Sequence, residues 1–88
     1  MLIELEEVCR TVSLVLGRRG VKADDVLVKD LGAESIDILG VMVTLEEKYG
    51  VVVDEAEMAT VATVRDLYEV LLESPHAPTP AADPTRSA

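Results

Sequence analysis

In the stretch DLGAESIDIL, residues 30–39, a single serine, Ser35, stands between two carboxylates, Glu34 and Asp37, just ahead of a long apolar run. A serine hydroxyl is a poor nucleophile unless a base stands beside it, and this stretch contains neither histidine nor lysine. If Ser35 takes part in chemistry, another protein has to activate it, and the result is a group attached to the hydroxyl. The structural alternative is a helix cap. Serine is among the preferred N-cap residues, and Asp37 would add a favourable negative charge to the first turn.

The other reactive side chains are few. Cys9 is the only cysteine, so the chain can form neither an internal disulfide nor a zinc cluster. His76 is the only histidine and falls in a proline-rich stretch, with nothing to bring it to Cys9. Cys9 reads as a small buried hydrophobe on a helix, with only Arg10 close by in sequence. No Ser-His-Asp set, metal-ligand spacing or phosphate-cradling glycine loop is present. The carboxylate runs Glu46-Glu47 and Asp54-Glu55-Glu57 read as solvated helix surface, without the alternation of ligands and glycine that a calcium loop needs. No catalytic residue and no metal site is expected, and the chain is not read as an enzyme.

The elements that position Ser35 follow from apolar spacing. Leu5, Val8, Val12 and Val15 form one stripe, flanked by Cys9 and Leu16, and predict a helix over about Leu2–Leu16 ended by Gly17. A connection of 18 residues, from Gly17 to Glu34, is too long to be slack in so small a domain; Val26, Leu27 and Leu31 would pin it to the core. Asp24 and Asp25 would cap a short turn in it, and Gly32 would provide the tight turn before the serine. A second helix is expected from Ser35 to Tyr49, stopped by Gly50. Ile38, Val41, Met42, Leu45 and Tyr49 give it a buried stripe. Ile36, Gly40, Val43 and Glu47 fall on a second stripe that reads as a contact surface.

The run from Val51 to Val53 has no strand partner and reads as a packed loop leading into a helical turn over Asp54–Ala59. The last helix starts after Thr63, with Asp66 completing a short capping box and Val64, Leu67, Tyr68, Leu71 and Leu72 facing inward. The fold class is therefore all-α: three main helices and one short one, with a long ordered loop between the first two. Residues 1–73 make the domain. Residues 74–88 hold all four prolines and read as a flexible tail. The chain has no Trp or Phe and 2 Tyr, which gives an aliphatic core.

Charge narrows the partners. The net charge is -9, and residues 34–73 carry ten acids against two bases, whereas residues 1–33 carry six against five. Such a surface repels nucleic acid and anionic lipid and attracts basic proteins. Arg18, Arg19, Lys22 and Lys29 form a loose basic patch, too sparse and too poor in aromatics for a nucleic-acid site. The opening MLIELEEVCR lacks the positive start and apolar core of a signal peptide, and no apolar run approaches a membrane span. A cytoplasmic monomer is expected, with no nucleic-acid or membrane partner.

The turn resembles that of the acyl carrier proteins, in which D-L-G-x-D-S-L/I-D opens the second helix and its serine carries 4′-phosphopantetheine. Here it reads Asp30-Leu31-Gly32-Ala33-Glu34-Ser35-Ile36-Asp37. The resemblance extends through LEEKYGVVVDEAEMA (Leu45 to Ala59) and ATVRDLYEVL (Ala62 to Leu71), so it covers about residues 1–73 in element order. Two positions depart from the family pattern. Glu34 replaces an aspartate, and Gly40 stands where the family often has a partner-facing acid.

This resemblance implies a carrier. A phosphopantetheinyl transferase would place the arm on Ser35, and acyl groups would travel as thioesters between enzymes such as a ketosynthase or an acyltransferase. Partners would dock on Glu34, Ile36, Asp37, Gly40, Val43 and Glu47. An aliphatic core could part to shelter an acyl chain. The tail and the short length point to a discrete carrier of polyketide or other specialised biosynthesis. The alternatives are a primary fatty-acid carrier, an aminoacyl carrier (whose usual G-G-x/H-S is absent here) and an unmodified helical adaptor.

Overall fold

The computed structural model describes residues 3–74. Four helices follow in order: α1 (Leu5–Leu16), α2 (Ser35–Tyr49), α3 (Glu55–Met58) and α4 (Val64–Glu73). α1 packs against α2 and α4, and α3 packs against α4. The all-α architecture expected from spacing is the one observed.

The ends of the helices follow local chemistry. Gly17 and Gly50 terminate α1 and α2 in left-handed conformation, at φ 66° in both cases, which costs a glycine nothing. α4 opens with the anticipated capping box. The Asp66 N–H donates to Thr63 Oγ1 at 3.1 Å, and Asp66 Oδ2 accepts the N–H of Thr63 at 3.0 Å and that of Ala62 at 2.9 Å. α1 begins at Leu5 rather than Leu2, with Glu4 in the N-cap place.

Val8, Val12, Val41, Leu45, Val64 and Leu67 are fully buried, and Leu27 and Leu71 nearly so. Each such leucine or valine contributes about 1.5–3 kcal/mol relative to an exposed one. Two stripes turn out rotated from their expected positions. On α1, Thr11 is buried and Val15 reaches the surface at 40 % exposure. On α4, Val70 is buried and Leu72 faces out. Both shifts follow from each helix meeting more than one neighbour, which turns the buried face away from the line of apolar residues alone.

The long connection is ordered by backbone bonds to the start of α4. Val26 and Thr63 form an antiparallel bridge. Around it, the Leu27 N–H donates to Ala62 O (2.9 Å), the Val64 N–H to Asp25 O (3.1 Å) and the Arg65 N–H to Ala23 O (2.8 Å). Asp25 Oδ2 accepts the Lys22 N–H at 2.8 Å, the turn-capping role expected there. Arg65 also meets Asp24 at 3.2 Å.

Val52 and Val53 are loop, as expected, but Val51 is buried and takes part in an isolated β-bridge, where the sequence offered no strand partner. Glu46, read from sequence as solvated surface, instead accepts the Val53 N–H at 2.8 Å through Oε2. It fastens that loop to α2. At the other end of the fold, Ser74 is buried and donates to Val70 O at 2.7 Å. The rest of the expected tail, with His76 and the prolines, lies outside the described residues. Among the described residues, no helix is long and apolar enough to cross a membrane.

Candidate functional site

The turn ahead of Ser35 is built by Asp30. Its Oδ2 accepts the Val26 N–H at 2.7 Å, and its own N–H donates to Val26 O at 2.8 Å. The Gly32 and Ala33 N–H groups then close onto Val28 O (3.1 Å) and Leu27 O (2.9 Å). Leu31 and Ala33 are buried, so the turn is anchored on both sides of Gly32. Gly32 itself takes φ 68°, the left-handed conformation anticipated for it. Sequence reasoning took Asp30 only as part of a motif. Its local signal was an aspartate four residues past a backbone N–H that a side chain could reach.

Ser35 is not the N-cap. Glu34 occupies that place in extended conformation (φ -99°, ψ 168°), and Ser35 is the first residue inside α2. The Asp37 carboxylate accepts the Glu34 N–H at 3.0 Å, tying down the helix entrance from within the first turn. The capping reading of Ser35 is thus replaced by a cap in which the serine has no part. Its side chain is exposed, and Oγ makes no hydrogen bond to any described residue. The hydroxyl is left with no structural task. It sits where the peptide dipoles of a 15-residue helix favour negative charge, such as a phosphodiester attached to Oγ.

The expected contact residues of α2 do share one exposed side. Ile36 is 73 % and Val43 45 % exposed, Glu47 is exposed, Asp37 is half-buried, and Glu34 lies exposed beside the serine. Leu39, 56 % exposed, joins them and was missed in sequence. Its spacing of three from Ile36 and four from Val43 was the available signal. Gly40 is half-buried, and a methyl group added there would meet only Val15 Cγ1, at 3.9 Å, an ordinary contact. The neighbour at Gly40 is therefore a side chain of α1 and not a close backbone.

Cys9 stays apart from this site. Burial raises its thiol pKa, and the nearby Asp25 charge raises it further. Such a thiol is a poor nucleophile at neutral pH.

Comparison with known proteins agrees with this geometry. The family model described as the phosphopantetheine attachment site matches residues 6–71. An acyl carrier protein of Campylobacter hominis is 34% identical over 47 residues, covering 53% of this chain and 60% of the relative. The chain thus spans about three fifths of the length of the first such relatives. Among solved structures, a putative acyl carrier protein from Mycobacterium tuberculosis superposes with TM-score 0.73 at 28% identity, over 77% of this chain and 93% of that one. MacpD, an acyl carrier protein from Pseudomonas fluorescens involved in mupirocin biosynthesis, gives TM-score 0.63 at 27% identity, covering 94% of this chain and 79% of its own. With its four-helix order, its serine turn and a family match over most of its length, the chain belongs to the phosphopantetheine-binding acyl carrier proteins, a family of carriers and not of catalysts.

Proposed function

We propose that Ser35 is the attachment residue for 4′-phosphopantetheine and that this chain carries acyl intermediates for specialised, polyketide-type biosynthesis. One observation above all supports the attachment residue: an exposed serine hydroxyl, relieved of capping by Glu34, at the first position of α2. In the transfer, Ser35 Oγ forms a bond to the phosphorus of coenzyme A's phosphopantetheine. The pyrophosphate bond breaks, adenosine 3′,5′-bisphosphate leaves, and the serine proton passes to a base of the transferase. The attached arm then supplies a thiol for thioester chemistry.

The chain's own residues hold and present. Asp30 and Gly32 set the turn, Asp37 fixes the helix entrance, and Glu34, Asp37 and Glu47 attract basic docking surfaces. Ile36, Leu39, Gly40 and Val43 provide the apolar centre of that contact. Weak, charge-steered association suits a shuttle that is released after each step. The docking domain is residues 1–73 together with the buried Ser74, and the rest of residues 74–88 serve as its tail.

The polyketide-type assignment is supported by the alanine- and proline-rich tail and by the likeness to the mupirocin-pathway carrier. Coding genes next to those for ketosynthases or adenylating enzymes would strengthen it. Linkage to fatty-acid genes alone would overturn it.

Intact mass is the test of attachment, measured after incubation with coenzyme A and a broad-specificity phosphopantetheinyl transferase. The chain is expected to gain one phosphopantetheine, and Ser35→Ala none. No gain with several transferases would leave an unmodified helical adaptor that uses the same apolar stripe.

A further inference from the structure

Across the middle of α2 the charge disappears. Residues 38–45, ILGVMVTL, hold no charged side chain over about 12 Å of helix. The acids that bracket this stretch are turned to the backbone. Asp37 accepts the Glu34 N–H at 3.0 Å, and Glu46 accepts the Val53 N–H at 2.8 Å. Thr44, the one polar side chain within the stretch, donates its hydroxyl hydrogen to Gly40 O at 2.8 Å. The row of Ile36, Leu39, Gly40 and Val43 is thus an uncharged strip, with Glu34 and Glu47 exposed at its two ends.

Gly40 opens that strip toward α1. The space that a Cβ at Gly40 would fill is met only by Val15 Cγ1 of α1, at 3.9 Å. Val15 is itself 40 % exposed, so the gap left by the glycine is walled on the α1 side by a valine that solvent also reaches. The fold does not require this gap. Of the five glycines, Gly40 alone lacks a positive φ, and alanine would make only an ordinary contact there. A glycine in a helix interior costs stability relative to alanine, so the residue weakens α2 without serving its packing.

We propose that Gly40 is the specificity-determining position of the α2 contact, and that the gap between it and Val15 receives an apolar side chain of an acyl-transferring enzyme. The proposal rests on the carrier reading of Ser35. A lysine or arginine placed there would lose water at a strip that offers it no charge. An apolar side chain is favoured by its transfer from water, and an apolar anchor seated inside a polar rim is where contacts concentrate their affinity. Glu34 and Glu47 attract basic partners alike, whereas the gap selects those with an apolar side chain at that point.

The experiment uses the full chain, first loaded with the arm by a transferase and checked by mass. Failure of the unchanged chain to load overturns the carrier reading, and this proposal with it; every later outcome bears on the gap alone. Gly40→Ala and Gly40→Leu fill the gap by a methyl and by an isobutyl group, and Val15→Ala removes its α1 wall. Acyl transfer is measured for each loaded protein with the ketosynthase and the acyltransferase encoded nearest to the chain's own gene. For at least one of the two, KM is expected to rise about threefold in Gly40→Ala and Val15→Ala and about tenfold in Gly40→Leu, with kcat unchanged. Because the lost contact is apolar, these ratios are expected to be the same at low and high salt.

A merely structural role would move KM together with stability. Gly40→Ala is instead expected to melt above the unchanged chain while its KM rises, a combination that a weakened fold does not give. Gly40→Ala and Val15→Ala decide the question if the larger side chain prevents folding. If both enzymes accept the Gly40 variants within about twofold of the unchanged chain, no side chain enters the gap and the proposal fails. It fails equally if the KM difference closes at high salt, if Gly40→Ala melts below the unchanged chain, or if neither enzyme acts on the loaded protein. Loading by the phosphopantetheinyl transferase that falls as far as acyl transfer also overturns it, since the gap would then serve the transferase.

Discussion

Gly40→Ala and Gly32→Ala make the same chemical change and are expected to act in opposite directions. Gly40 lies in the interior of α2 with helical dihedrals, and the added Cβ would approach nothing closer than Val15 Cγ1 at 3.9 Å. With no clash to offset it, the full helix-propensity gain of about 1 kcal/mol should appear. For a domain of this size that corresponds to a rise of about 4–8 °C in Tm. Gly32 also has open space around its Cα, yet it sits at φ 68°, where an L side chain is strained. Its alanine variant should lose about 1 kcal/mol after the reduced entropy of the unfolded chain is counted. Urea and thermal denaturation of the unmodified protein, followed by circular dichroism, measure both. Loss of stability in Gly40→Ala would refute the reasoning, since it would mean that α2 needs a glycine backbone there. In that case the space beside Val15 would not be the governing quantity.

Tyr49→Phe should stabilise the protein by about 1 kcal/mol in urea melts, because the Tyr49 hydroxyl is buried with no partner among the described residues; a loss would reveal a partner. The Thr63 and Ala62 N–H groups hold the Asp66 carboxyl below the usual carboxylate range. Its contribution is therefore complete above the unfolded pKa and is lost as pH falls through the lower folded value. Asp66→Asn should cost about 1 kcal/mol at pH 7 and converge with the parent in strong acid, as read from urea midpoints across pH. Cys9, its thiol pKa raised by burial, should be alkylated at pH 8 more slowly than free cysteine, with the difference vanishing in denaturant.

Much of this molecule was legible in its sequence because the signals were local. Thr63 with Asp66, the terminating Gly17 and Gly50, and the left-handed Gly32 each need only a few neighbouring residues to be recognised. The apolar spacing of α2 located Val41, Met42, Leu45 and Tyr49 in the core. The features that escaped depend on geometry across longer distances or on a shift of one residue. Whether Glu34 or Ser35 takes the N-cap depends on where the turn from Asp30 delivers the backbone. The bond from Glu46 to the Val53 N–H requires the chain to have reversed at Gly50. Thr11 replaces Val15 in the core because α1 contacts two helices at once. The bonds joining residues 23–27 to 62–65 run between main-chain atoms, which leave no trace in side-chain pattern.

Those main-chain bonds bear on the order in which the protein is made. The segment leading to Ser35 is held by Ala62, by the bridge at Thr63 and by the N–H groups of Val64 and Arg65, residues synthesised well after the serine itself. A ribosome-bound chain that has exposed Ser35 but not the start of α4 lacks these anchors, and closing so long a loop precedes any gain from them. The serine turn therefore matures late in synthesis, and fragments ending before Ala62 should be poor substrates for modification although they contain the whole DLGAESID sequence.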